Sequence, residues 1–169
     1  IPIAVNRESN TVNIQYVSMS TAQRNEMFLK LVNIFEKNGD NYKKSLSNYI
    51  TFNPIGYGPA LKDEKSIEKW KREMALRDSD IELMTDPEAI FNYLRTKKFN
   101  IDEKYTDEEA YRIMCLRYEI LIYQYTNCNP IASDVSRQTV AEIEERHSEF
   151  PGVTTDVEYK RQYIDGEAI

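Results

Sequence analysis

The stretch TDEEAYRIMCLRYEILIYQYT, residues 106–126, decides the fold that the sequence predicts. Thr106 and Glu109 form a capping box, in which each side chain can satisfy a free backbone N–H at the start of a helix. Behind this box, apolar side chains cover nearly the whole circumference of the helix. Since a helix that is apolar on all sides has to be enclosed, we predict a mainly α fold: a small helical bundle around this central helix.

Helical signals also lie on both sides of this stretch. Ser20 and Gln23 form a second capping box, and Gly39 is placed to end the amphipathic helix that follows. Asp86 followed by Pro87 marks another start, with an N-cap and a proline at the first helical position. Further helices are predicted at about 41–51, 63–77 and 134–148, and the helical domain spans residues 20–150.

The first residues differ from this helical domain. Residues 1–19 are predicted to form an extended arm, because Val12, Ile14 and Tyr16 recur at every second position. A lone strand has to pair with its own body or with a neighbouring subunit. We therefore expect the arm to be buried against another chain.

The two ends of the sequence carry weaker signals. Pro151 and Gly152 end the last predicted helix, so residues 151–169 are expected to form a polar tail or a short helix. The first residue is Ile1 and not Met, which fits either a product of proteolytic processing or a sequence that begins inside a longer protein. Such processing is common among virion components.

The composition indicates a globular protein with a modest acidic excess. It holds 28 acidic and 22 basic residues, a net charge of −6, which disfavours a surface built as a whole to bind phosphates. The longest apolar runs are about five residues, against the roughly 20 that a membrane helix needs. Cys115 and Cys128 come without a signal for secretion. We predict a soluble, cytoplasmic protein with no membrane partner.

No residue pattern indicates a metal site, a cofactor or catalysis. His147 is the single histidine, and with two cysteines it falls short of the four ligands of a structural zinc site. No serine lies in a Gly-x-Ser-x-Gly motif, and the glycines around Tyr57 lack the Gly-Lys-Ser/Thr of a phosphate loop. We predict a non-enzymatic protein without cofactor or metal. A carboxylate pair in acid–base chemistry is the enzyme alternative.

Tyrosine content favours protein–protein contact. Twelve residues are Tyr, whose large ring and polar tip suit interfaces, although they suit the rim of a helical core equally well. The predicted function is a structural or adaptor subunit of a homo- or hetero-oligomeric protein assembly, with a viral or phage virion as one host. The predicted interface residues, from the arm, the Pro/Gly-rich loop and the tail, are Val12, Ile14, Tyr16, Ile55, Tyr57, Tyr159 and Tyr163.

The segment 131–146 supports an alternative function. VSRQTV, residues 135–140, resembles the start of the recognition helix in helix-turn-helix regulators. In that family the helix N-terminus places polar side chains against base edges. The resemblance implies base contacts from Ser136, Arg137 and Gln138. A nucleic-acid-binding regulator is therefore the second candidate.

Overall fold

The computed structural model describes residues 2–74, 85–123 and 129–165. Within these residues the protein is mixed α/β, with one three-stranded and one two-stranded antiparallel sheet. The predicted mainly α bundle is therefore wrong. The helical signals were interpreted correctly in several places, but the two longest strands come from the segments assigned to an arm and a tail, and three shorter strands lie within the predicted helical domain.

The elements alternate along the chain. The strands are β1 Pro2–Ile14, β2 Ile50–Thr51, β3 Gly56–Tyr57, β4 Asn129–Val135 and β5 Val153–Asp165. The helices are α1 Thr21–Lys37, α2 Glu64–Glu73, α3 Pro87–Tyr93, α4 Asp107–Ile122 and α5 Arg137–Glu145. Helix α3 continues as a π-helical segment, Leu94–Lys98, and short 3-10 helices lie at Ser45–Asn48 and His147–Glu149.

Three helices start where the sequence predicts. The Ser20 hydroxyl accepts the Gln23 N–H at 3.1 Å, and the Gln23 side chain accepts the Ser20 N–H at 3.2 Å. In the same way, the Thr106 hydroxyl accepts the Glu109 N–H at 3.1 Å, and the Glu109 side chain accepts the Thr106 N–H at 2.9 Å. Asp86 caps α3 with its carboxylate. These caps depend on residues at most three positions apart, so the local sequence specifies them.

The chain divides into two compact units. The first consists of residues 1–17, 31–42 and 124–169, and holds the sheet with strand order β4-β1-β5, the end of α1, and α5. The second consists of residues 18–30 and 43–123, and holds the β2–β3 pair with α2, α3 and α4.

In the first unit, β1 is the central strand. It pairs antiparallel with β4 on one side and with β5 on the other. Two register shifts interrupt the β1–β4 pairing, one after Asn10 and one after Val12, as β-bulges do. Residues 1–19, interpreted as an arm that grips another chain, thus hold the middle strand of the protein's own sheet.

Strand β5 occupies the region expected to be a tail or a short helix. It pairs with β1 along all 13 residues of each strand, from Pro2 opposite Asp165 to Ile14 opposite Val153. From Val153 to Tyr163, every second residue is apolar, aromatic or β-branched, except Arg161. This alternation of period two is typical of a strand.

In the second unit, α4 is the core helix. Tyr111 on α4 donates its hydroxyl to the carbonyl of Ile50 at 2.6 Å. The last turn is open, with Ile122 and Tyr123 43% and 44% exposed. The predicted central helix is present as Asp107–Ile122, as the centre of this unit, whereas residues 124–126 of the prediction lie outside the described residues. Its buried side chains are Ala110, Ile113, Met114, Cys115, Leu116, Tyr118 and Glu119.

Candidate interaction surface

The outer part of the β1–β5 pair is a two-stranded ribbon. Strand β4 accompanies β1 only from Asn10 to Ile14, whereas β5 continues to the far end of β1. We define the ribbon as residues 2–9 with 158–165; no third strand pairs with it in the described part of the chain. A rise of about 3.4 Å per residue gives it a length of roughly 25 Å.

One face of the ribbon continues the buried face of the sheet. Directly opposed residues of antiparallel strands share a face, and the faces alternate along each strand. The face that buries Val12 and Ile14 therefore also carries Val157, Tyr159 and Tyr163, which are 49%, 71% and 64% exposed. We call these three residues the aromatic face. Apolar side chains of this face thus continue from the core into solvent, with Arg161 between Tyr159 and Tyr163.

The opposite face of the ribbon is also accessible. Ile3 and Val5 lie there and are 55% and 37% exposed. Gln162, directly opposite Val5, is exposed as well. Contiguous exposed apolar side chains with polar neighbours are typical of protein interaction sites.

Ion pairs connect the ribbon to the rest of the first unit. Arg7 donates to both carboxylate oxygens of Asp134, at 2.8 and 2.9 Å. Glu8 accepts from Arg137 at 2.9 Å. The Arg7 and Asp134 side chains are 42% and 54% exposed, and such pairs stabilise a protein by about 0–1 kcal/mol each. They orient the ribbon more than they stabilise the fold.

A carboxylate also holds the start of α5. Asp40 accepts the backbone N–H and the hydroxyl of Ser136, each at 2.9 Å, and Thr139 donates its hydroxyl to the same carboxylate. Asn38 donates its amide to the Thr139 hydroxyl at 3.0 Å. The polar side chains at this helix terminus are therefore used inside the chain.

Other kinds of site have little support. Within residues 2–74, 85–123 and 129–165, no three His, Cys, Asp or Glu side chains are grouped to bind a metal ion. None of the described helices combines the length and apolar character needed to cross a membrane. A cavity of about 200 Å³ in the second unit is lined mainly by polar side chains, among them Asn25, Glu26 and Lys104. Asn25 is already engaged there, since it accepts from Arg117 at 2.6 Å.

Comparison with known proteins establishes the family. The sequence profile described as the penicillin-binding protein dimerisation domain matches residues 1–169, the whole chain. This chain belongs to the penicillin-binding protein dimerisation domain family. Among curated proteins none matches it.

Two solved structures resemble the dimerisation domain. Both are penicillin-binding protein 2B of Streptococcus pneumoniae, one from strain 5204 and one from strain R6. Their sequence identities are 19% and 15%, and their TM-scores are 0.44 and 0.39. The matches cover 97% and 96% of the dimerisation domain but only 24% and 23% of those chains. The domain thus spans about a quarter of their length.

The family corrects the predicted function. A penicillin-binding protein domain is neither a virion component nor a nucleic-acid-binding regulator, so both predictions are wrong. The prediction of a non-enzymatic protein is also wrong, because the domain belongs to penicillin-binding proteins, which are enzymes, although this chain is their dimerisation domain only. The prediction of protein partners is confirmed in its general form, since the family is described as a dimerisation domain.

The structure explains why the helix-turn-helix resemblance fails. Residues 131–135 lie in strand β4 of the dimerisation domain and not in a first helix. Ser136 is bound to Asp40, and Arg137 is paired with Glu8, while Gln138 is exposed. A phosphate approaching this helix terminus meets carboxylates, which repel it.

The predicted interface residues of the first unit lie in different surroundings. Val12 and Ile14 are buried within the domain's own sheet, at 0% and 2% exposed. Tyr16 follows β1 and is 62% exposed. Tyr159 and Tyr163 share the aromatic face. Of the five, register brings only these two together on an exposed surface.

Two predicted interface residues lie in the second unit. Ile55 and Tyr57 are half-buried in and beside the β2–β3 pair. Tyr57 donates its hydroxyl to the carbonyl of Thr85, and burial, followed by the charges of Asp86 and Glu68, raises the pKa of Tyr57. The sequence reasoning missed Val157, although its two-residue spacing from Tyr159 was a signal for a shared strand face.

Proposed function

We propose that this dimerisation domain joins copies of the protein that contains it, and that the aromatic face is the contact surface. The observation that carries the proposal is the exposure of Tyr159 and Tyr163, 71% and 64%, on one face of a two-stranded ribbon. A Tyr side chain buries roughly 150–250 Å² at an interface, and burial of apolar area contributes roughly 25 cal/mol per Å². Association therefore stabilises a surface that the single chain leaves in water.

The ribbon itself gains from a partner. A two-stranded antiparallel pair is marginally stable in water without a third strand or a packed face. At its base the ribbon is part of the three-stranded sheet, and Arg7 and Glu8 pair with neighbouring elements. Beyond these contacts, both faces of the ribbon carry exposed apolar side chains, which a second protein can bury.

We further propose that the whole protein acts in cell-wall synthesis, with family membership as the support. The cytoplasmic location stays a prediction. A role in building the wall favours the outer side of the membrane instead, because the wall lies there.

The test is the molar mass of the 169-residue chain as a function of concentration, by sedimentation equilibrium. The expected result is reversible dimerisation, weakened at least about tenfold in Kd by the double substitution Tyr159→Ser with Tyr163→Ser, since interface tyrosines are frequent hot spots. Tyr123→Ser is the control, because Tyr123 is 44% exposed in the second unit. A monomer at every concentration contradicts the proposal, and an unchanged Kd in the double variant contradicts the assigned surface.

A further inference from the structure

We propose that two copies of this chain pair through the outer edges of their β5 strands, antiparallel, with a two-fold axis at Tyr159. The two sheets then form one continuous sheet of six strands. This inference rests on the proposed function, because it specifies the geometry of the same association.

The first support is the position of β5 in the sheet. The strand order β4-β1-β5 leaves one side of β5 without a neighbouring strand in the described part of the chain. The backbone N–H and C=O groups on that side form a row that another strand can use. Strand addition at such an edge is a common mode of protein association.

The second support is the direction of the backbone groups. Gln15 donates its N–H to the carbonyl of Gly152 at 2.8 Å, which places a hydrogen-bonded pair just before the first register pair of β1 and β5. Hydrogen-bonded and non-hydrogen-bonded pairs alternate along antiparallel strands. Tyr159, opposite Glu8, therefore belongs to a non-hydrogen-bonded pair. Its N–H and C=O point to the open edge and can bind those of Tyr159 in a second copy.

The third support is charge. Glu158 and Lys160 flank Tyr159 on the face opposite the aromatic face. With the axis at Tyr159, Glu158 of each copy lies directly opposite Lys160 of the other. In the described chain neither side chain has an ion-pair partner. Lys160 instead lies opposite Arg7, whose guanidinium is bound to Asp134.

The charges also select this register among its neighbours. An axis at Val157 sets Glu158 against Asp156, and an axis at Glu158 or at Lys160 sets that residue against itself. An axis at Arg161 sets Lys160 against the neutral Gln162. Opposite charges in directly opposed positions stabilise an antiparallel pair, and like charges destabilise it. An axis at Glu158 also opposes Asp156 to Lys160, but among the axes from Val157 to Arg161 only the one at Tyr159 opposes an acid to a base without opposing like charges.

The aromatic face fits the same register. Tyr159 lies beside its own copy on the axis, and Val157 lies opposite the long side chain of Arg161. Tyr163 lies opposite Thr155. The contact is isologous, since each residue meets the same partners in both copies, and it closes at two chains. No further strand edge of β5 is left for a third copy.

Cysteine cross-linking tests the axis. A directly opposed, hydrogen-bonded antiparallel pair has its Cα atoms about 5.5 Å apart, within the range of a disulfide. Tyr159→Cys should therefore form a covalent dimer under mild oxidation. Tyr163→Cys is the matched control, because the two copies of residue 163 are offset by eight positions, or about 27 Å. The unsubstituted chain controls for Cys115 and Cys128.

Charge reversal tests the register. Glu158→Lys and Lys160→Glu, made singly, each oppose like charges at two symmetric points, and each should raise the dimer Kd at least about fivefold. Mixing the two variants should restore the Kd of the unsubstituted chain, because every acid then meets a base. The double reversal in one chain should restore it too.

The outcomes separate the two proposals. Cross-linking at 159 and not at 163, with rescue in the mixture, supports the β5 pairing. A dimer that cross-links at 163, or that shows no rescue, overturns the pairing and leaves the dimerisation function standing. A chain that is monomeric at every concentration overturns the dimerisation function and with it the pairing.

Discussion

Asp40 caps helix α5 from a different segment of the chain, accepting both the backbone N–H and the hydroxyl of Ser136 at 2.9 Å. Asp40→Ala removes these acceptors and that of Thr139. We expect the free energy of unfolding to fall by about 1–3 kcal/mol, as for a lost cap with part-buried donors. Urea unfolding followed by circular dichroism measures it.

The matched control for Asp40 is Glu8→Ala. Glu8 is also a carboxylate of the first unit, but its partner Arg137 has a side chain that is 84% exposed. Loss of the Glu8–Arg137 ion pair should lower the free energy of unfolding by less than about 1 kcal/mol. Equal effects of the two substitutions contradict the structural role assigned to Asp40.

Substitutions at Gly152 and Gly39 distinguish the effect of backbone strain from that of steric collision. Both have left-handed φ angles, +84° and +72°. A Cβ at residue 152 lies 2.4 Å from the carbonyl oxygen of Gln15, whereas residue 39 has open space within 4 Å. Gly39→Ala should lower the free energy of unfolding by about 1–2 kcal/mol, because of the left-handed conformation alone. Gly152→Ala should lower it by about 1–3 kcal/mol more, because of the collision with Gln15. Thermal unfolding of the two variants compares them directly, and equal midpoints would count against the close approach at Gly152.

Stability should fall in alkaline solution because of buried groups on α4. Burial is the main cause that raises the pKa of the Cys115 thiol from 9.0 to about 12 and that of Tyr118 from 10.0 to about 12. Above the unfolded pKa values, the unfolded chain releases protons that the folded chain keeps. The stabilisation is therefore complete below about pH 9 and is lost as the pH rises to about 12.

The measurement is the urea midpoint at about pH 8.5 and about pH 10.5, followed by the fluorescence of the single, buried Trp70. Cys115→Ala should have a lower urea midpoint than the unsubstituted chain at both pH values. Its midpoint should fall less between the two pH values. If the midpoint of the variant falls as much as that of the unsubstituted chain, Cys115 does not contribute to the pH dependence.

A buried polar contact supports the second unit. Asn25 is 2% exposed and accepts from Arg117 at 2.6 Å, while its amide donates to the carbonyls of Phe99 and Asn100. Burial, followed by the charge of Arg24, lowers the pKa of Arg117 to about 10. Asn25→Ala should lower the free energy of unfolding by about 2–4 kcal/mol, because the part-buried Arg117 loses its side-chain acceptor and keeps the carbonyl of Phe99 at 3.2 Å.

The comparison for Asn25 is Arg112→Ala. Arg112 pairs with Glu108 one helical turn away, and the Glu108 side chain is 62% exposed. Surface pairs of this spacing contribute about 0.3–0.5 kcal/mol. If Asn25→Ala costs no more than Arg112→Ala in urea unfolding, the buried contact is not a source of stability.

The helices could be predicted because their signals are local. The boxes at Ser20–Gln23 and Thr106–Glu109 each act within three residues, and both are confirmed. The extended conformation of residues 2–14 was predicted as well, but the strand partners could not be, because they lie far away in the chain. Thr155 and Glu158 have the spacing of a helix cap, yet they lie in β5 because Val12 and Ser9 pair with them.

The candidate surface shows the same division. Two of its residues could be predicted from the sequence, since the tyrosine content indicated Tyr159 and Tyr163 as interface residues. Their shared face could not, because it follows from the register with β1. The same register buries Val12 and Ile14, which the sequence placed at an interface together with them.

The sequence by itself determined the helix starts, the acidic excess and the tyrosines of residues 159 and 163. The tertiary structure alone decided that residues 2–14 and 153–165 are strands of one sheet, and which of their side chains stay in water. The physical reason is that a helix satisfies its backbone hydrogen bonds within four residues, whereas a strand needs a partner. Here that partner lies about 140 to 160 residues away, beyond the reach of any local pattern.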